Sequence, residues 1–142
     1  MRQLTTNNLR LLKLNEGFRG RPYKDTVGKW TIGYGRNLTD VPLTEDEAAY
    51  LSVPLFQQAQ DYIERNYPWT VLLDEVRYAA LVDLCYNLGT KGFSRFRKFL
   101  AAMELGDYEE AETQLKLSKW WTQVGVRGPR IANMIVTGRW PW

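Results

Sequence analysis

The sequence contains no histidine and a single cysteine, Cys85. Without imidazole there is no Ser-His-Asp triad, no Cys-His pair and no histidine zinc site, so acid–base chemistry falls to carboxylates, lysine, tyrosine and hydroxyls. One cysteine makes neither an intrachain disulfide nor a thiolate cluster. Cys85 lies in the apolar run of Leu81, Val82, Leu84 and Leu88, and is expected to be a small buried residue. No stretch approaches the ~20 apolar residues of a membrane span. The first residues, Met1-Arg2-Gln3-Leu4-Thr5-Thr6-Asn7-Asn8, lack the apolar stretch of an export signal, so neither export by such a signal nor stable membrane insertion is expected. Repeats, linkers and low-complexity tracts are absent as well.

What is present suits one globular unit: 142 residues, 44% of them hydrophobic and 25% charged, a size at which a chain buries a modest core, domains commonly running about 100–150 residues. Six Trp, eight Tyr and five Phe serve equally as core and as flat surfaces against the C–H face of a sugar. The net charge of +3 and pI near 9.0 favour encounter with an anionic surface, or reflect only a solvated basic face. The positive charges are dispersed and no nucleic-acid motif accompanies them, which argues against a nucleic-acid partner.

Helical periodicity starts after Asn7 or Asn8 as N-cap, with Leu9, Leu12 and Glu16 on one stripe and Gly17 closing the helix. Glu16 therefore falls at the helix end, on or beside an apolar face. Residues 18–38 then turn to glycine, aromatic and β-branched types and predict a small antiparallel sheet. Within it Trp30, Ile32 and Tyr34 share one face, expected to pack, while Thr31, Gly33 and Gly35 share the other, expected to stay open. Thr44-x-x-Glu47 forms a capping box for a helix interrupted near Pro54, with a second helix over about 55–65. The strongest helical segment spans 73–88, with Val76, Ala80, Leu84 and Leu88 on one face before Gly89 stops it. Further helices follow over 94–105, from Asp107 to about 117, and from Pro129 to Gly138. The fold class is α+β: a small β-containing lobe over about 15–60, and a larger helical lobe over about 68–142 joined by the N-terminal helix. The two are expected to flank a cleft within a single catalytic domain.

Two carboxyls in contrasting settings are what glycosidic hydrolysis requires, one to protonate the leaving oxygen and one to serve as nucleophile or base. Glu16, beside apolar residues, suits the protonated acid; Asp25, in the polar turn Tyr23-Lys24-Asp25-Thr26-Val27-Gly28, suits the carboxylate. Taken singly, each has a plainer reading. Glu16 is also a helix-end surface charge, Asp25 a turn former, and Thr31 an ordinary strand residue.

The joint pattern Asn15-Glu16-Gly17-Phe18-Arg19, Tyr23-Lys24-Asp25-Thr26-Val27-Gly28 and Trp30-Thr31-Ile32-Gly33-Tyr34-Gly35 resembles the phage-type lysozymes, the T4-like endolysin family of glycoside hydrolases. Glu, Asp and Thr recur there with eight and then five intervening residues, as Glu16, Asp25 and Thr31 do here. Val76-Arg77-Tyr78-Ala79-Ala80-Leu81 with Asn87-Leu88-Gly89, Gly106-Asp107-Tyr108-Glu109-Glu110-Ala111, Ser118-Lys119-Trp120-Trp121 and Thr137-Gly138-Arg139-Trp140 extend the likeness. It is weakest over 41–71. The resemblance implies Glu16 as general acid, Asp25 as the second carboxylate and Thr31 as the hydroxyl that positions water. The reaction implied is β-1,4 cleavage between N-acetylmuramic acid and N-acetylglucosamine, by an inverting course.

The resemblance also implies substrate contacts from Gly35, Tyr86, Asn87 and Arg127, the last reaching toward the catalytic glutamate, with no cofactor or metal. Tyr86 has packing as its alternative reading and Arg127 a place on the surface. Arg36 stands where the T4-like pattern has histidine, so any ion pair there is permanently cationic. The partners implied are peptidoglycan glycan strands, with the protein a monomer in the host cytoplasm that reaches the wall through a separate holin. Two other functions fit parts of the pattern: a lytic transglycosylase, which needs one carboxyl, and a wall-binding module that keeps the fold without turnover.

Overall fold

In the computed structural model, which describes residues 1–142, the first helix is capped two to three residues earlier than its periodicity suggests. Thr5 is the N-cap of α1 (Thr6–Glu16), and Asn8, expected at the cap, instead stands in the first turn with its Oδ1 accepting from the Thr5 N–H at 2.9 Å and hydroxyl at 3.0 Å. The helix ends at Gly17, whose φ of 69° lies in the left-handed region that glycine tolerates without cost to a Cβ. None of the residues of α1 is buried.

Three strands follow: β1 (Arg19–Lys24), β2 (Trp30–Gly33) and β3 (Arg36–Asn37), antiparallel in the order β1-β2-β3. Thr31 sits mid-sheet, facing Tyr23 on β1 and Asn37 on β3. This reverses the expected faces. Thr31 is buried at 4% exposure while Trp30 remains 49% exposed, its ring beneath the Lys24 ammonium at 5.3 Å. The supposed Trp30–Ile32–Tyr34 stripe also breaks at Gly33, whose positive φ of 69° ends the alternation that a regular strand requires.

Helix α2 (Glu45–Asn66) begins at the predicted capping box: the Thr44 N–H donates to Glu47 Oε2 at 2.9 Å and the Glu47 N–H to Thr44 Oγ1 at 3.2 Å. Contrary to expectation it runs unbroken through Pro54. Proline forfeits one hydrogen bond, to the carbonyl four residues back, and the ladder on either side carries the helix past that gap. A 3-10 turn (Pro68–Leu72) leads into α3 (Glu75–Ser94), where Asp74 accepts the Arg77 N–H as N-cap. Gly89 breaks α3 as anticipated, with φ 75° and ψ 165°, but another helical turn resumes beyond it.

α4 (Arg97–Leu105), α5 (Tyr108–Lys116), α6 (Lys119–Gln123) and α7 (Arg127–Thr137) complete the chain. Gly106 and Gly138 close α4 and α7 in the left-handed conformation, and Asp107 and Ser118 cap α5 and α6. The arrangement is the α+β class expected. No helix is long and apolar enough to cross a membrane.

The chain divides into two compact units, Met1–Tyr50 and Leu51–Trp142. The second holds the apolar core, with Ile63, Leu81, Leu84, Phe93, Phe99, Met103, Leu115 and Ile135 almost wholly withdrawn from water. Here α5 packs on α4 and α7, and α7 on α3. Cys85 is buried in this core, which pushes its thiol up to about 11 because burial disfavours the thiolate. It is a packing residue, as its apolar neighbours in the sequence indicated.

Candidate active site

The first unit assembles Asp25 and Thr31 around the backbone of a single residue, Lys29. Asp25 stands at the end of β1, where the chain must reverse within the few residues before β2. Its backbone N–H donates to the Lys29 carbonyl at 2.9 Å, and its carbonyl accepts the Gly28 N–H at 3.1 Å. The side chain then turns back on the loop. Oδ1 accepts the N–H of Val27 at 3.0 Å and of Lys29 at 2.8 Å, an Asx-type turn that this residue favours. Both bonds fall on one oxygen, so Oδ2 has no donor within the chain.

Thr31 Oγ1 donates to the Lys29 carbonyl at 3.1 Å. Lys29 thus binds Asp25 through its N–H and Thr31 through its C=O, so the carboxylate and the hydroxyl are both held by the backbone of one residue. Its own side chain is anchored by Asp40, Nζ to Oδ1 at 2.9 Å. The Asp40 carboxyl is held below the usual carboxylate range by hydrogen bonds from Lys29 and then Asn37. Lys29 carries no sequence signal of this role, because the role belongs to its backbone.

Glu16, the last residue of α1, lies against Gly35. A Cβ added at Gly35 would stand 2.5 Å from Glu16 Oε2, 2.8 Å from Cδ and 3.3 Å from Cγ. The apolar setting expected for Glu16 is missing: the residue is exposed, and the leucines of α1 lie at the surface. What the local structure supplies instead is a close backbone wall and, nearby, the Tyr34 ring, which packs at 5.7 Å from Phe18 and under the Lys13 ammonium at 5.6 Å.

Arg36 follows directly and is fully engaged. Nη1 and Nη2 form a bidentate pair with Glu47 at 2.8 and 3.0 Å, while Nε and Nη2 reach the carbonyls of Val41 and Pro42, each at 3.0 Å. The cation thereby ties β3 to the start of α2. The Arg36 hydrogen bonds, with help from the Thr44 N–H, bring the Glu47 carboxyl down to about 2.

The other sequence-derived residues lie in the second unit. Tyr86 stacks on Phe56, centroids 4.5 Å apart and planes 18° from parallel, so an intramolecular partner takes one face of the ring. Asn87 Oδ1 accepts from Trp120 Nε1 at 2.7 Å, and its own amide hydrogens are left to other acceptors. Arg127 forms a bidentate pair with Asp83, Nε at 3.0 Å and Nη2 at 3.1 Å. Asp83, like Lys29, escaped the sequence reading, since nothing local marks a pairing with a residue 44 positions away.

Comparison with known proteins finds relatives that match most of the chain. The family model described as Phage lysozyme matches residues 13–135. The chain is 29% identical to "Probable T4-type lysozyme 2" of Dictyostelium discoideum, across 90% of this chain and 92% of that protein. It is 30% identical to "Endolysin" of Acyrthosiphon pisum secondary endosymbiont phage 1, across 89% of this chain and 85% of that one. A "SAR-endolysin" of Bacteriophage PS119 shares 32% identity across 78% of this chain and 65% of its own length.

Proposed function

This chain belongs to the phage lysozyme family and is a glycoside hydrolase of the lysozyme type, and from that premise we propose that it lyses bacterial cells by cutting peptidoglycan, with Glu16, Asp25 and Thr31 as its chemical groups. The bond cut is the β-1,4 link between N-acetylmuramic acid and N-acetylglucosamine. The observation that carries the residue assignment is the shared Lys29 backbone, which holds the Asp25 carboxylate through its N–H and the Thr31 hydroxyl through its carbonyl.

Those two bonds give the two side chains complementary duties. The Thr31 proton is committed to the Lys29 carbonyl, so toward an incoming water Oγ1 acts as an acceptor. Asp25 Oδ1 is committed to two backbone N–H groups, and Oδ2 is free to take a proton. A water that donates one hydrogen to Thr31 and the other to Asp25 Oδ2 aims its oxygen lone pair at the anomeric carbon. As the C–O bond to the leaving sugar breaks, Glu16 gives its proton to the departing oxygen, water forms the new C1–O bond, and Asp25 receives the proton water loses. Attack from the face opposite the leaving group inverts the anomeric centre. Asn87, through its free amide hydrogens, and Tyr86, through its open face, are proposed to contact N-acetyl sugars. The protein is further proposed to act as a monomer, to gather in the host cytoplasm and to reach the wall through a separate holin.

The decisive experiment is mass spectrometry of peptidoglycan digested by the native protein, Glu16→Gln and Asp25→Asn. Reducing muramic ends are expected from the native enzyme, with both variants folded and at least about a hundredfold slower, the scale of losing a general acid or base. Anhydro-muramic ends would make it a lytic transglycosylase. Undiminished cleavage by Glu16→Gln would remove that residue from the mechanism, and absence of any cleavage product from the native protein would leave a wall-binding module.

A further inference from the structure

Glycine at position 35 is needed for more than backbone geometry. Eight glycines have positive φ, but only two of these, Gly35 and Gly138, have anything within 4 Å of where a Cβ would stand. At Gly35 that neighbour is the Glu16 side chain, met from Cγ to Oε2 at 3.3 to 2.5 Å. No Cβ contact that short survives in a folded protein, so a residue with a side chain forces one partner to move. The partner that moves is the flexible end of Glu16, because the Gly35 backbone is held by the turn between β2 and β3.

We infer that Gly35 is a positioning residue for the general acid: its bare Cα is the wall against which the Glu16 carboxyl rests, and it sets where the leaving oxygen receives its proton. The inference rests on Glu16 being that acid. It separates two roles that a glycine can combine. A purely conformational glycine is replaceable by alanine at the expense of stability alone, whereas this one, when replaced, displaces a reacting group.

Gly33 provides the internal control. Two residues earlier, at the end of β2, it has φ of 69° against 77° at Gly35 and nothing within 4 Å of its Cβ position. Gly33→Ala and Gly35→Ala therefore carry similar backbone strain, and only the second carries the collision with Glu16. On a soluble peptidoglycan fragment, Gly35→Ala is expected to lower kcat about a hundredfold with KM within about twofold, as misplacing a reacting group by about 1 Å does. Gly33→Ala, losing stability only, should keep kcat within about threefold of native.

The Glu16→Asp background completes the test. Its carboxyl carbon takes the place of Cγ, 3.3 Å from the Cβ position, where that of glutamate stands at 2.8 Å, so the collision is milder and adding Gly35→Ala to Glu16→Asp should cost clearly less activity than it does in the native chain. Equal kcat for the two alanine variants, an effect confined to KM, or the same loss from Gly35→Ala in both backgrounds would overturn the inference. None of these outcomes would touch the Glu16 assignment, which stands or falls with Glu16→Gln. Should Gly35→Ala fail to fold, the native protein still decides. Nuclear Overhauser contacts between the Gly35 Hα and Glu16 Hγ protons are expected, and their absence would refute the contact itself.

Discussion

Arg36 and Glu47 illustrate how one residue departing from a family pattern changes the molecule's response to pH. Glu47 ionises at about 2 in the folded chain against 4.5 ordinarily, chiefly because Arg36 donates to both its oxygens. The unfolded chain therefore takes up this proton first as pH falls. Stability from the pair is complete above about pH 4.5 and is lost as pH drops toward about 2, the window between the two values. Arginine stays charged throughout, so there is no matching loss near neutrality of the kind a histidine would give. Urea midpoints measured down from about pH 5 to about pH 3 should fall more steeply for the native chain than for Glu47→Gln; parallel curves would show that the pair contributes nothing. Both side chains are partly exposed, which limits the effect through solvent screening. At this scale the sequence pointed to the residues proposed for chemistry but not to how they are held. Glu16, Asp25 and Thr31 stand out through the family resemblance, and Arg36 by its departure from that pattern. Lys29 acts through its backbone groups and Asp83 through a partner 44 positions away, and neither leaves a local trace. The burial of Thr31 was also hidden, since which face of a strand is buried depends on what packs against the sheet.

Elements were legible where their signals are local. The capping box at Thr44 and Glu47, the Asp107 cap and the left-handed glycines at 106 and 138 all use groups within four residues of one another, and all form as read. α6 was missed because five residues are too few to show a 3.6 period, although its Ser118 cap was there to find. Pro54 misled because one missing hydrogen bond weakens a 22-residue helix without ending it. The end of α7 shows what local reading omits altogether. Its last carbonyls lack helical partners, and Arg77 of α3 supplies them: Nε donates to the Ile135 carbonyl at 2.7 Å and Nη2 to Val136 at 3.1 Å. Nη1 meanwhile pairs with Asp74 at 2.8 Å, and the guanidinium lies 3.9 Å over the Tyr108 ring. One planar cation thus joins α3, α5 and α7. A lysine retains the charge but reaches fewer of these acceptors and loses the stacking. Arg77→Lys should destabilise the chain by about 2 kcal/mol, the worth of one or two charge-assisted hydrogen bonds. Chemical denaturation would check it, and a change below about 0.5 kcal/mol, the usual range for surface substitutions, would mean that the helix end is adequately solvated without arginine.

Across the whole molecule the two units differ in what holds each together. In Met1–Tyr50 Thr31 alone is buried, and the sheet is secured by backbone ladders, the Asp25 turn and ion pairs at the surface. Leu51–Trp142 holds every buried hydrophobic residue of the core. Apolar burial contributes roughly 25 cal/mol per Å² removed from water, whereas exposed ion pairs add about 1 kcal/mol at most. Local opening therefore costs far less in the first unit than in the second, and the residues proposed for chemistry sit on the less stable part. Such placement suits a site whose groups must admit and release a polymer, since segments that open at low free energy are those with little buried apolar contact. Native-state hydrogen exchange should report the difference directly. Amides of β1, β2 and β3 are expected to exchange through local opening, with protection well below that of the buried Leu81 and Leu84 of α3 and Ile135 of α7. Those core amides should exchange only on global unfolding, so that added urea shifts them in step with the denaturation midpoint while the strand amides respond weakly. Equal protection in the sheet and the core helices would mean that the first unit unfolds only with the second, and that the turns around Asp25 and Gly35 are stabilised by more than the bonds within that unit.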